Sequence, residues 1–582
     1  MRFQPRTALI YVLLILAIAV PRLSGLDRFV TVDEPKWLAR AGNFYLALAQ
    51  GDLANTFTRE HPGVTVTWAG TLGLLWRYPE YKSNAPGYLT DSRQVEPLIR
   101  KHGLEPIKVL AAARMIMVLL VTFALLGSFW ASTQLIGFWP SFVGFLFIAF
   151  DPFYLGLSRL LHLDGLMSSL VLLSLLTFLN YLQPGSPHKN TNLVISAIAA
   201  GLAWLTKSPA IFLVPFLGLV VLLDIVPTWY RHKHVAFGEV WRRGRELALW
   251  LGIGAVTFIL LWPAMWVDPV GALQQVFSEA TTYAEEGHTS DVFFKGAVIS
   301  GEPGRTYSSA EQTLYGPWAK VRVTGDEGRT FYLIAYLWRA TPLVLLGLVL
   351  ALVGLFLRWR DDEMPQVRWT VLVLVLFAGL FALFMTLGSK KFDRYLLPVF
   401  PPLDLVAAAG WVVAARWVGA RLDARTARFS LPLALGSVVL LQAVSTLQTH
   451  PYYLSYYNPV LGGGEVAPQV MMVGWGEGLD QAARYLNAQP NAGDMQVMSW
   501  YPDGPFSYIF GGQTVHASSE WEPTREQILS SDFVVLYIHQ WQRQLPFSEM
   551  LAYFSGRSPE HIIRLDGIEY AQIYRMQDAA QP

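Results

Sequence analysis

A mostly helical chain that crosses a membrane many times, with a small α/β domain at its C-terminal end, is the fold this sequence predicts. Three observations carry that expectation. Of 582 residues, 53% are hydrophobic and only 15% are charged, too apolar for an ordinary soluble domain and too charged for a chain that is all bilayer. Apolar segments of roughly span length recur at about 8–23, 107–127, 133–150, 160–182, 191–206, 208–226, 247–266, 337–357, 368–388, 395–416 and 429–447. The tail after residue 448 abandons that pattern for short strand-like runs, Met495 to Tyr501, Asp532 to His539 and Glu569 to Met576, alternating with helix-like ones at Gly478 to Asn487 and Thr524 to Ser530.

The spans number about eleven, and their orientation follows from the cations. Residues 8 to 20 carry no charge and follow Arg2 and Arg6, which places the N-terminus inside. Pro21-Arg22-Leu23-Ser24-Gly25 lacks a small-x-small cleavage pattern, so the first helix is expected to stay uncleaved. The short even-numbered connections then fall inside, and they hold Arg231, Lys233, Arg242, Arg243 and Arg245, then Arg358, Arg360 and Arg368, then Arg416, Arg421, Arg425 and Arg428. Residues 24–106, 267–336 and 448–582 are left outside. The expected division is a membrane module over 1–447 and an exterior domain over 448–582.

Composition also excludes functions. Net charge is +1, which offers no polyelectrolyte signal for nucleic acid, and the absence of cysteine removes disulfides, thiolate metal sites and a thiol nucleophile. There is no phosphate-binding P-loop and no GxSxG; His450, His232 and His234 lack partners at metal-ligand spacing; Gly462-Gly463-Gly464 reads as a turn. No cofactor and no metal is called for.

Four clusters of ionisable residues fall on the expected outer face, where such groups are costly and usually functional. The first is Asp33-Glu34, just after the first span. The second is Arg59-Glu60-His61-Pro62-Gly63. The third runs from Asp151-Pro152-Phe153-Tyr154 through Arg159, His162 and Asp164. The fourth joins Lys207 to Ser389-Lys390-Lys391-Phe392-Asp393-Arg394-Tyr395. Carboxylates facing several cations suit a reaction between a neutral nucleophile and a phosphate ester: the acid takes the acceptor proton, and Lys and Arg hold the phosphate. Each cluster also has a plainer reading. Asp33 and Glu34 are then solvated loop acids, Lys207 snorkels, Lys390, Lys391 and Arg394 flank a span, Asp151 and Asp164 cap helices, and His61 is an ordinary loop histidine.

Taken in order, Asp33-Glu34, His61-Pro62-Gly63, Asp151-Pro152-Phe153-Tyr154 with Arg159 and Asp164, Thr206-Lys207-Ser208-Pro209 and Lys390-Lys391-Phe392-Asp393-Arg394-Tyr395-Leu396-Leu397-Pro398 resemble the polytopic C-type (GT-C) glycosyltransferases. The nearest branch is family 39, the protein O-mannosyltransferase and aminoarabinose transferase relatives. The resemblance spans residues 1 to about 450. It implies a polyprenyl-phosphate-linked sugar donor, transfer with inversion at the outer face of the plasma membrane, and a protein, lipid or glycan acceptor. It further implies that Asp33 is the base, with Glu34 supporting the site. One departure stands out: the mannosyltransferases commonly show His-Pro-Pro where this chain has His61-Pro62-Gly63, which weakens the protein-mannosylating reading more than the lipid-sugar one. The segments His450 to Pro459 and Gly474 to Asp480 look like features of a bacterial subgroup with an outward C-terminal domain. A transporter or flippase is the competing class, but it expects paired halves and midplane charges, whereas these charges sit at one face. A non-catalytic scaffold leaves them without a purpose.

Overall fold

A computed structural model describes residues 5–59, 62–232, 237–300, 313–357, 365–518 and 520–576. All eleven apolar segments fall in helices. Among the described residues seven helices are long and apolar enough to cross a membrane, and the bent pair Phe331–Arg339 and Pro342–Gly354, broken by 113°, makes an eighth; Thr7–Leu23 and Phe138–Ala149 are shorter apolar helices. The chain is a multi-pass membrane protein.

Enclosure separates the inner helices from the lipid-facing ones. The apolar window of Leu163–Leu182 is 94% buried, whereas that of Gly238–Leu261 is 11% buried and Phe429–Leu447 22%. Without a hydrophobic drive between helices in lipid, close approach comes from small residues. A Cβ on Gly410 would stand 2.1 Å from the Gly347 carbonyl oxygen, so the helices Pro342–Leu357 and Phe400–Gly419 touch backbone to backbone there.

Span boundaries differ from the expected ones where breakers sit. The second helix runs unbroken over Pro106–Ile136 because nothing interrupts it before Gly137, so the third, Phe138–Ala149, is shorter than expected. The tenth opens with a 3-10 turn, Asp393–Val399, and becomes α-helical at Phe400, ahead of Pro401 and Pro402. At the bent pair, Pro342 removes the amide that would continue the first helix and disfavours helical backbone just before it.

The tail forms an α/β domain. Strands β4 (Gln496–Ser499), β5 (Gln513–Val515), β6 (Phe533–Tyr537), β7 (His561–Leu565) and β8 (Ile568–Arg575) make one sheet in the order β5-β4-β6-β8-β7. β4 lies parallel to β5 and β6, and β8 antiparallel to β6 and β7. A smaller sheet, β1 (Val292–Phe294), β2 (Ala297–Ser300) and β3 (Val321–Thr324), comes from the connection before Phe331. It docks on the tail, since Lys295 N–H donates to the Val470 carbonyl at 2.8 Å.

Candidate active site

Asp33 stands at the N-cap of the helix Glu34–Gln50, and Pro35 in the first turn suits a helix start. Its side chain is 27% exposed and has Lys36, Arg394 and the His162 ring around it. Lys36 Nζ lies 3.1 Å from Oδ1; His162 Nε2 lies 3.7 Å and an Arg394 guanidinium nitrogen 3.9 Å from Oδ2. Burial alone raises its pKa, but Lys36, Arg394 and His162 outweigh burial and hold it at about 2.

Glu34 is a different object. It is fully buried, and both oxygens are filled. Thr31 donates through its amide and its hydroxyl, each at 2.9 Å, Leu161 N–H donates at 2.9 Å, and Arg114 donates Nε at 2.6 Å together with a second guanidinium nitrogen. Burial pushes its carboxyl up, but Arg114 and these donors bring it below its ordinary value. Arg114 also donates to the Leu26 carbonyl at 2.5 Å. The pair clamps the loop before Asp33 to the helix Pro106–Ile136.

Asp164, in the first turn of Leu163–Leu182, gathers the rest. Lys207 Nζ donates to its Oδ1 at 2.6 Å, His162 Nδ1 is 3.2 Å from Oδ2 and Arg394 Nε is 3.8 Å from Oδ2. Lys207 is the C-cap of Lys189–Thr206 and lies 4.1 Å from the Tyr395 ring centroid. Asp33, His162, Asp164, Lys207, Arg394 and Tyr395 therefore meet in one place.

Two cavities adjoin this cluster. One, about 230 Å³, is polar and lined by Asp33, Arg339, Lys390, Asp393, Arg394 and Trp475, with Tyr501, His539 and Arg543 from the C-terminal domain. The other, about 580 Å³, is walled by apolar side chains such as Trp204, Ile211, Phe258, Leu273, Phe277 and Phe384 and carries Lys207, Lys390 and Tyr395. Lys390 lines both.

Other expected residues are placed elsewhere. Lys391 is buried, ion-paired with Asp326, and its amide donates to His288 Nε2 at 3.2 Å; it lines neither cavity. Asp151 takes the Tyr154 amide at 2.6 Å as the cap of Pro152–Leu157, and Arg159 ties to the Ser24 carbonyl and the Tyr453 ring, so both serve local structure. Arg59 is half-buried and lines neither cavity; Glu60 and His61 lie outside the described residues. The Gly63 departure has a physical reason. Its φ is +57°, which proline cannot adopt, and a Cβ there would stand 2.3 Å from the Trp37 ring.

Several site residues escaped the sequence reading. Arg339 ends the first half of the bent pair and bonds Asp393 at 2.9 Å, next to Arg394. Arg114 offered a signal, since it is a cation inside a long apolar helix. Trp475 lies in the segment Gly474 to Asp480, which the sequence marks without a role, and only the fold brings it over the Arg394 guanidinium, 4.6 Å from its ring centroid. Among the described residues no group of three or more His, Cys, Asp or Glu side chains is placed to hold a metal ion.

No protein-family model matches the chain, and no curated protein matches it. Solved structures do. ArnT from Cupriavidus metallidurans, bound to undecaprenyl phosphate, is 13% identical over 98% of this chain and 98% of its own, with a TM-score of 0.46. The archaeal oligosaccharyltransferase AglB from Archaeoglobus fulgidus, in complex with an inhibitory peptide and a dolichol-phosphate, is 11% identical over 92% of this chain and 69% of its own, TM-score 0.43. The S. cerevisiae protein O-mannosyltransferase Pmt1–Pmt2 complex, bound to the sugar donor, is 15% identical over 47% of this chain and 35% of its own, TM-score 0.35.

Proposed function

We propose that this protein is a membrane glycosyltransferase that moves a sugar from a polyprenyl-phosphate donor to an acceptor hydroxyl or amine at the outer face of the plasma membrane. The observation that carries the reading is that Lys390 lines both cavities: a polar chamber holding a carboxylate adjoins an apolar cavity of about 580 Å³. The tail of the donor lies along the apolar side chains, and its phosphate sits among Lys207, Lys390 and Arg394. The acceptor occupies the polar chamber and loses its proton to Asp33. Its oxygen or nitrogen attacks the anomeric carbon from the side opposite the phosphate, the C–O bond to phosphate breaks, and polyprenyl phosphate leaves on the cations with its electron pair. Transfer inverts the anomeric centre.

Asp33 at a pKa of about 2 is a weak base on its own. A donor phosphate competes for Arg394, one of the cations that hold Asp33 down, and so raises the basicity of Asp33 once the donor is in place. Donor binding thereby prepares the base.

Replacing Lys207 by Met weakens undecaprenyl phosphate binding by about 1.5–3 kcal/mol, the scale of a charge-assisted contact, measured by titration in nanodiscs. Arg394→Met does the same. Unchanged lipid phosphate affinity in both variants contradicts the assignment. Mass spectrometry of envelope glycans and glycoproteins with and without the protein then identifies the product; loss of a lipid precursor from one leaflet, with no missing glycosyl linkage, is the result a flippase would give.

The orientation belongs to the same reading. The chamber faces outward if the basic connections are inside, so reporter fusions at Gly238 and at Gln581 report opposite compartments. The same compartment at both positions removes the outward-facing site.

A further inference from the structure

Residues 474–478 read Gly-Trp-Gly-Glu-Gly, and they reach from the C-terminal domain to the backbone beside Asp33. The three glycines have φ of +100°, +120° and +84°, a region that L side chains avoid. Space is as restrictive as conformation. A Cβ on Gly476 would stand 2.2 Å from the Val30 carbonyl oxygen, and one on Gly474 2.7 Å from the Tyr537 hydroxyl. The glycines let the loop lie flat on Val30–Val32, where Val32 N–H donates to the Trp475 carbonyl at 3.3 Å.

The loop is held from its own side as well. Tyr537, fully buried at the end of β6, accepts the Gly476 amide at 3.0 Å and donates its hydroxyl to the Glu477 carbonyl at 3.1 Å. Glu477 accepts the Trp475 amide at 2.6 Å. The Trp475 ring then meets two of the three nitrogen-bearing side chains around Asp33: the Arg394 guanidinium at 4.6 Å from its centroid and the His162 ring, T-shaped, at 4.8 Å. One rigid loop thus touches the backbone entering Asp33 and the side chains that surround its carboxylate.

We infer that the loop 474–478 is a positioning element through which the C-terminal domain sets the place of Asp33 for transfer. The inference rests on the transferase reading above. A mere docking contact between two parts of the chain predicts that weakening the loop lowers stability and donor binding together. A positioning element predicts lost turnover with donor binding kept, because misplacing a catalytic group by about 1 Å costs about 10²-fold.

The test uses the full chain in nanodiscs with synthetic undecaprenyl-phosphate sugars, a cell-envelope extract as acceptor source, and released undecaprenyl phosphate as the readout. Gly476→Ala is expected to lower kcat about 10²-fold, and Tyr537→Phe, which keeps the buried ring, about 5- to 20-fold. Both leave undecaprenyl phosphate affinity within about twofold and speed hydrogen exchange at the Val32 amide. Trp475→Phe keeps the carbonyl and a ring face, so it rescues most of what Trp475→Ala loses. Wild-type kcat in Tyr537→Phe and Gly476→Ala, or parallel loss of lipid phosphate binding, turnover and Tm in Tyr537→Phe, overturns the inference. A wild-type chain inert on every donor would instead remove the transferase reading, and exchange at Val32 would still decide whether the loop orders the Asp33 backbone.

Discussion

Asp33→Asn lowers turnover by about 10²–10⁴-fold and leaves undecaprenyl phosphate affinity close to wild type. The substitution keeps size and hydrogen-bonding shape but removes the proton acceptor. Asp33 is the carboxylate to bet on because it is partly open to the polar chamber, while Glu34 is buried and saturated with donors and Asp164 is buried and ion-paired with Lys207. The pH dependence follows with a definite sign. Burial raises the pKa of Asp33, the surrounding cations more than offset that rise, and the group stays ionised until pH falls toward about 2. The acid limb of kcat/KM, which reports the free enzyme, is therefore not set by Asp33 above about pH 4. Lys36→Met removes one of those cations and moves the Asp33 limb upward. Near wild-type transfer by purified Asp33→Asn protein ends the proposed mechanism.

Arg114→Met destabilises the protein by about 3–5 kcal/mol, because it leaves Glu34 ionised and unpaired in the interior. Arg114 and Glu34, 80 residues apart in sequence, are 2% and 0% exposed, so solvent does little to screen the loss. Glu34→Gln is milder, about 1–3 kcal/mol, since an amide oxygen still accepts some of the same donors. The folded fraction of Glu34→Gln keeps turnover within about tenfold of wild type if Glu34 holds the loop and takes no proton. Thermal unfolding and initial rates on the same preparations separate the two effects. A well-folded Glu34→Gln that is as inactive as Asp33→Asn would exchange the roles of the two acids.

The adjacent acids show where sequence reading stops. Side by side, Asp33 and Glu34 have the same chemistry, and each is a reasonable base. Arg114 separates them, and nothing local connects residue 114 to residue 34. Lys390 and Lys391 repeat the lesson: one lines both cavities, and the other pairs with Asp326 behind them. Two residues in succession in an irregular segment point in different directions, and composition cannot say which one faces the site.

What the sequence determined by itself was the membrane character, the approximate place of each apolar helix, and three of the five strands and two of the helices in the tail. These are local properties. An apolar run of span length is helical in lipid because its backbone groups have no other partner, and a strand-like run in the tail needs only its own residue types to be recognised. Tertiary structure alone decided that Lys207 answers Asp164 across 43 residues and that Trp475 from the far end of the chain closes over Arg394. Those choices turn on which charges share a low-dielectric space, where a bare charge is too costly to keep and each must find its partner wherever the fold has put it.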